Sequence, residues 1–207
     1  MRILVTAGPT REFLDPVRFL SNASSGLTGF LAAQAAQARG HRVVLVAGPT
    51  TCPAPEGVKL VPVVSARDMH RAVLKAFPET DAVVMTAAVS DYRPVRTSRH
   101  KLKKTGAGQM LELAPNPDIL ADLGRRKKHQ ILIGFALEDR RAESNAIDKF
   151  RRKNLDAVIL NSPAALGRRT NRVRVYTRDG WQQWPAMSKQ RLGEKIIRLA
   201  ERLCCAL

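Results

Sequence analysis

Aromatic residues are scarce in this 207-residue chain: six Phe, two Tyr and two Trp, 5% of the total. A protein that reads nucleic acid stacks bases on exposed rings set in a basic stripe. Here 35 Lys and Arg face 18 Asp and Glu, for a formal charge of +17, without such rings. The excess therefore reads as solvated surface, with a minority gathered around an anionic small-molecule site. No nucleic acid is expected as a partner. Cysteine is also sparse. Cys52 stands alone and Cys204 adjoins Cys205, a pattern that draws neither a metal knuckle nor a disulfide framework. No apolar run approaches the ~20 residues of a membrane span. The opening Met-Arg-Ile-Leu-Val-Thr-Ala-Gly is too short an apolar run for a secretory signal. The expectation is a cytoplasmic protein with no membrane partner.

What is present is alternation. Continuous apolar runs at Arg2–Ala7, Arg42–Ala47, Val58–Val63, Asp81–Ala87, Gln130–Phe135 and Asp156–Asn161 read as strands buried on both faces. Between them lie the alanine-rich stretch Ser24–Arg39, closed by Gly40, a Ser65-capped helix to about Phe77 with Asp68 completing a capping box, and the basic helix Arg140–Lys153. Asn116-Pro117-Asp118 reads as a helix start with Asn as cap. Strand–helix alternation of this kind predicts an α/β fold, a Rossmann-like, doubly wound, mostly parallel sheet. After Asn161 the pattern changes: Arg172–Thr177 and Trp181–Pro185 flank Arg178-Asp179-Gly180, a hairpin signal, and an amphipathic helix Ser188–Leu203 follows. Residues 1–207 thus read as one domain with a hairpin arm at about 162–187.

The first strand does not pass promptly into its helix. About fifteen residues intervene, and connections that long are usually functional. This loop holds Arg18, Asn22, Ser24 and Ser25, all able to bind an anion or a carbonyl. Dinucleotide chemistry is not evident there. The turn lacks G-x-G-x-x-G, strand two ends Val-Ala-Gly-Pro-Thr-Thr with no acid for a ribose, and neither Tyr92 nor Tyr176 has a Lys four residues on. An NAD(P)-binding oxidoreductase remains the alternative from another enzyme class, and a basic nucleic-acid module a weaker one. Three further segments stand after strands, where open α/β sheets bind ligands: 85–94, 116–120 and 134–138. Lys101-Leu102-Lys103-Lys104, with Gly106 and Gly108 behind it, reads as a flap that closes on phosphate.

These segments, in this order, resemble phosphopantothenoylcysteine synthetase, the coenzyme A pathway ligase, over nearly the whole chain. The signatures are Asp-Pro-Val-Arg-Phe-Leu-Ser-Asn-x-Ser-Ser-Gly, Ala-Ala-Val-Ser-Asp-Tyr-Arg-Pro, Lys-x-Lys-Lys, Asn-Pro-Asp-Ile-Leu and Lys-Asn-Leu-Asp at 153–156. Two departures stand out. Leu27-Thr28 follows Ser-Ser-Gly where the family usually has Lys-Met or similar, and Ala7-Gly8-Pro9 replaces a doubled glycine. Because many bacterial members are fused behind a flavin-dependent decarboxylase, a chain opening at the first strand is expected to be a stand-alone form.

The resemblance implies amide formation between 4′-phosphopantothenate and L-cysteine through an acyl-nucleotide, driven by CTP in the bacterial branch or ATP in the eukaryotic one, with Mg²⁺. It also implies a homodimer, to which the hairpin contributes, and a possible separate phosphopantothenoylcysteine decarboxylase. The metal ligands are not identified. Carried onto this chain, Lys101 would stabilise the triphosphate, Asn22 would hold the acyl carbonyl through its amide donor, and Arg18 would bind the intermediate or the substrate phosphate. Ser24 and Ala88 join the substrate site. Met85, Thr86, Ala87 and Asp91 would meet the nucleotide, Pro117, Asp118, Ile119 and Leu120 its phosphates, and Phe135 its base. Lys149 and Lys153, one turn apart, would face the same ligand. A helix cap for Asn22 and an ordinary core ring for Phe135 stay open as plain structural readings.

Overall fold

The computed structural model describes residues 1–104, 106, 108–162, 168 and 170–205. Residues 163–167 and 169 of the expected hairpin arm, and Thr105 and Ala107 beside the flap lysines, lie outside that set. The strands are β1 (Arg2–Ala7), β2 (Arg11–Phe13), β3 (Phe19–Ser21), β4 (Arg42–Ala47), β5 (Lys59–Pro62), β6 (Ala82–Met85), β7 (Tyr92–Pro94), β8 (Leu113–Pro115), β9 (Ile131–Leu137), β10 (Ala157–Asn161), β11 (Thr170–Thr177) and β12 (Gly180–Ser188). The helices are α1 (Leu27–Ala38), α2 (Ala66–Ala76), α3 (Ile119–Arg126), α4 (Ala142–Arg152) and α5 (Lys189–Cys205).

Eight strands form one sheet in the order β12-β11-β10-β9-β6-β1-β4-β5. From β5 to β10 the pairing is parallel. Counted among those six strands alone, the order is the doubly wound 3-2-1-4-5-6, which reverses between β1 and β6. The antiparallel pair β11–β12 then extends the sheet beyond β10. The central strands read as unbroken apolar runs because helices cover both faces. Phe30, Ala32, Ala33 and Ala36 of α1 and Leu192, Ile196 and Ile197 of α5 close one face. Met69 and Val73 of α2, Leu120 and Leu123 of α3 and Ala146 of α4 close the other. Each large side chain buried in these layers contributes about 1.5–3 kcal/mol.

Four local expectations are corrected by the structure. The loop after β1 is not one open turn: β2 and β3 pair as a short hairpin, with the Phe13 and Phe19 rings 5.3 Å apart and the Arg11 guanidinium over Phe19. Helix α1 begins at Leu27 rather than Ser24, because Gly26 adopts a left-handed φ of 77° and holds Ser24 and Ser25 in the loop. Helix α3 is capped by Asp118, which accepts from the Ala121 amide at 3.0 Å; the expected cap, Asn116, instead donates to the Ser90 carbonyl at 2.9 Å. Helix α4 starts at Ala142, two residues later than the expected start of the basic helix at Arg140, behind Arg141 at φ 47°. By contrast the Ser65–Asp68 capping box forms as read, and buried Glu12 adds a bond to the Ala66 amide at 2.8 Å.

Candidate functional site

The carboxyl ends of the parallel strands open into a cleft of about 810 Å³. Its position follows from the reversal of strand order between β1 and β6, which leaves a crevice where the flanking connections diverge. One wall is the start of α1, from Ser24 to Gly29. Position 29 must be glycine: a Cβ there would overlap the Thr86 Oγ1 and the Ala7 Cβ, so the helix could not seat this close to the strands. The Gly26 and Leu27 amides are held only loosely, by the Ser24 hydroxyl at 3.3 Å and the Ser25 hydroxyl at 3.4 Å. That leaves the positive end of a 12-residue helix facing the cleft.

The floor is the segment after β6. Thr86 Oγ1 donates to the Thr6 carbonyl at 2.6 Å, the Ala87 amide to Thr6 Oγ1 at 3.2 Å, and the Ser90 amide to Thr10 Oγ1 at 3.0 Å. Two strand ends are thus stitched together, and this rigid floor carries Thr86, Ala87, Ala88 and Asp91 into the cleft. Asn22 leans across it and donates to the Ala88 carbonyl at 3.2 Å and the Val89 carbonyl at 3.1 Å. It is no helix cap. Both its amide hydrogens are engaged, so a ligand carbonyl taking them must displace these contacts.

The opposite wall is α4 with the end of β9. Lys149 reaches the Phe135 carbonyl, and burial followed by the neighbouring charge of Lys153 pushes its ammonium below the ordinary lysine value, against the pull of Asp118, Glu138 and Asp91. Lys153 pairs with Asp118 at 2.8 Å. Burial opposes ionisation of the Asp118 carboxyl, but the Lys153 hydrogen bond, the Ala121 amide and the two lysine charges hold it below the usual carboxylate range. The carboxylate thus fixes the position of one lysine while leaving the cleft rich in cations: Lys149, Arg152, Lys153 and Lys189 against Asp91, Glu138 and Asp148.

Of the residues singled out from sequence, Asn22, Ser24, Thr86, Ala87, Ala88, Asp91, Phe135, Lys149 and Lys153 line this cleft. Asp118 stands one contact behind Lys153, and Met85, Pro117, Ile119 and Leu120 are outside the lining; Met85, Ile119 and Leu120 belong to the core. Arg18 and Lys101 are elsewhere. Asp15, with no exposed surface, accepts from the Val17 and Arg18 amides, from the Arg18 guanidinium at 2.6 Å and from the Leu102 amide at 3.1 Å. Arg18 in turn donates to the Leu102 carbonyl at 2.7 Å. The Arg18 side chain therefore serves as half of a clasp on the flap, and the exposed Lys101 sits beside that clasp, not in the cleft. The same guanidinium holds the Asp15 carboxyl far below the usual carboxylate range.

Sequence reading overlooked Arg152, Asn161, Asn171 and Lys189 in the lining. Arg152 was within reach, since it follows Lys149 by three residues on one helix face. Asn161 ends a strand at the ligand-binding edge. Asn171 and Lys189 carry no local signal, because they arrive with the antiparallel extension of the sheet.

The family model for the DNA/pantothenate metabolism flavoprotein C-terminal domain matches residues 1–203. The chain belongs to that family. A relative from Bacillus subtilis, the coenzyme A biosynthesis bifunctional protein CoaBC, is 43% identical over 202 residues, which cover 95% of this chain and 50% of the relative. The chain spans about half the length of the curated relatives it matches. The crystal structure of the C-terminal domain of a CoaBC protein superposes with a TM-score of 0.85 at 39% identity, covering 98% of this chain and 94% of that one. A Cab2 mutant in complex with phosphopantothenate-cysteine, 17% identical, has the same fold with a TM-score of 0.83. The Rossmann-like architecture is thus that of the family. Among the described residues no helix is long and apolar enough to cross a membrane, and no group of three His, Cys, Asp or Glu could by itself hold a metal ion.

Proposed function

We propose that this chain is a phosphopantothenate–cysteine ligase of coenzyme A biosynthesis. The 4′-phosphopantothenate carboxylate attacks the α-phosphorus of CTP, the bond to the β-phosphate breaks, and pyrophosphate leaves an acyl-cytidylate. The amine of L-cysteine then attacks the acyl carbon, CMP departs and the extra proton of the new amide is lost. The observation that carries this reading is the convergence, in one cleft of a CoaBC-like fold, of a helix N-terminus, a stitched floor and a half-buried pair of lysines. A reaction that brings two anions together needs such preorganised positive charge.

In this reading Lys149 and Lys153 meet the phosphates, Phe135 packs against the base, and Thr86, Ala87 and Asp91 border the nucleotide. Ser24 and the start of α1 take a phosphate, and Asn22 releases the 88–89 carbonyls to hold the acyl group. Pro117–Leu120 act from behind, by setting Asp118 and through it Lys153. Lys101 reaches the triphosphate only when the flap closes, within one protomer or from the other copy of a homodimer, and Arg18 is freed to meet substrate as its clasp opens. The hairpin at about 162–187 is assigned to that homodimer, and residues 1–207 to one domain. Mg²⁺ carried by a nucleotide keeps phosphate and water ligands and needs only one or two carboxylates; Asp91 and Asp148 line the cleft and fit that need. The ion would neutralise charge on the leaving pyrophosphate. CTP is preferred over ATP because relatives such as those from Bacillus subtilis and Haemophilus influenzae are bacterial. The setting is the cytoplasm, with a phosphopantothenoylcysteine decarboxylase, separate or fused, to take the product.

The test is direct. Protein, Mg²⁺, phosphopantothenate and cysteine are incubated with CTP or ATP in turn and pyrophosphate is followed. Release that requires phosphopantothenate, and is faster with CTP, is expected; no release with either nucleotide overturns the reading.

A further inference from the structure

One wall of the cleft holds a polar group that none of these roles uses. Strand alternation turns Ile133 and Phe135 of β9, Ala157 and Ile159 of β10, and Val173 and Val175 of β11 toward the core shared with α1 and α5. Asn161 is the next residue of that face on β10. Asn171, paired across from Met187 of the same core, ends the face on β11. Because β11 runs antiparallel to β10, its first residues extend past the carboxyl end of β10, where the cleft lies. Phe135, Asn161, Asn171 and Lys189 all line it.

Asn171 is 5% exposed, and its side-chain oxygen is sealed from water without a hydrogen-bond partner, the single such side-chain atom among the described residues. A dry, unpaired acceptor is destabilising, and natural folds keep few of them. One that persists in the wall of a ligand cleft awaits a donor that comes with the ligand. The neighbours narrow the donor. Phe135 on the same face offers a ring for a flat π system, which a nucleobase has and phosphopantothenate lacks. A carboxamide sets acceptor and donor side by side, the complement of an amino group next to a ring nitrogen, an edge that cytosine and adenine share.

We infer that Asn171 accepts a hydrogen bond from the exocyclic amino group of a nucleobase packed against Phe135, and so selects amino-bearing over keto-bearing bases. The inference rests on the nucleotide-dependent ligation proposed above. The unpartnered oxygen is buried in the unliganded wall, so the amino group meets it once the carboxamide turns toward the cleft. A keto oxygen brought to it would meet another acceptor.

Calorimetric binding of CTP, UTP, ATP and ITP to the full chain tests this. In the wild type the amino member of each pair should bind roughly tenfold or more tightly than its keto partner; comparison of the two pairs tells which base is read. In Asn171→Leu the ratio should fall to near one, with the phosphates still bound by the lysines. Equal binding of amino and keto partners by the wild type, or an unchanged ratio in the variant, overturns the inference and leaves the ligase reading intact. A wild type that binds no nucleotide at all overturns both. Should Asn171→Leu fail to fold, the triphosphate of pyrimidin-2-one riboside, a cytosine analogue without the amino group, reads the same contact on the wild type: weaker binding than CTP supports the inference, equal binding overturns it.

Discussion

The α4 wall of the cleft and the flap between β7 and β8 carry the same kind of charge and are built in opposite ways. Lys149 is held by the Phe135 carbonyl, crowded by Lys153, and buried enough that its proton is less firmly bound than an ordinary lysine's. Lys101 is exposed, on a segment fastened to the body by the Asp15–Arg18 clasp at Leu102. Charge on the wall is placed before any ligand arrives, and the free energy of desolvating it has been met by folding. Charge on the flap stays hydrated, and in the proposed reaction it has to be brought to the cleft. A motif in the sequence treats both lysines alike; the fold puts one in the cleft wall and leaves the other exposed outside it.

The sharpest test of that contrast is Lys149→Met. Pyrophosphate release should fall by about 10²–10³, the effect of removing one preorganised group from a site of developing charge. The thermal midpoint should not drop, because a half-buried, partly desolvated cation has been replaced by a chain of similar length. A variant that keeps its activity would remove the wall from the reaction. Next in size is Lys101→Gln, expected to slow pyrophosphate release by about 10-fold to 10²-fold with no change in stability, since an exposed lysine contributes little to folding. Wild-type turnover by this variant would leave the flap lysine as solvated surface.

The smallest effect belongs to Asp15→Asn, which weakens the clasp without touching the cleft. Trypsin should cut the flap at Arg99, Lys101, Lys103 or Lys104 a few times faster, while the pH dependence of stability carries the second signature. The Asp15 carboxyl is held below its ordinary value of 3.8 in the folded protein, so the unfolded chain binds the proton more readily. Its stabilising contribution is therefore complete above that value and is lost as pH falls through and below it. The wild type should lead Asp15→Asn in thermal midpoint at pH 7, and the gap should narrow below about pH 4. A gap that stays constant with pH would mean that the carboxylate's charge is not what holds the clasp.

Much of the fold was legible because its signals are local. Runs such as Ile-Leu-Val and Ala-Val-Val-Met have no polar residue to place in water, so they can only be central strands with helices on both sides. Ser65 and Asp68 close their capping box within three residues. Other starts differ where distant contacts compete: Asn116 has the chemistry of a cap, but its amide donates to the Ser90 carbonyl and its oxygen accepts from the Arg93 guanidinium. Strands of three residues, such as β2 and β3, leave no period to detect; here they are held by pairing and by one aromatic contact.

For the site, strand order pointed to the Asn22 loop and to the segments 85–94 and 134–138, because ligand-binding residues of an open α/β sheet follow its strands. Lys149 and Lys153 stood out only through the family resemblance, with their four-residue spacing placing both on one helix face. Only the tertiary structure decided that Arg18 faces Asp15 and not the cleft, that Lys101 stands apart from Asn22, and that Asn171 of β11 and Lys189 at the start of α5 come to the wall from more than thirty positions beyond Phe135. These are outcomes of competition between partners far apart in the chain. A side chain of given chemistry goes to the partner that folding brings within reach, and spacing along the sequence does not record which one arrives.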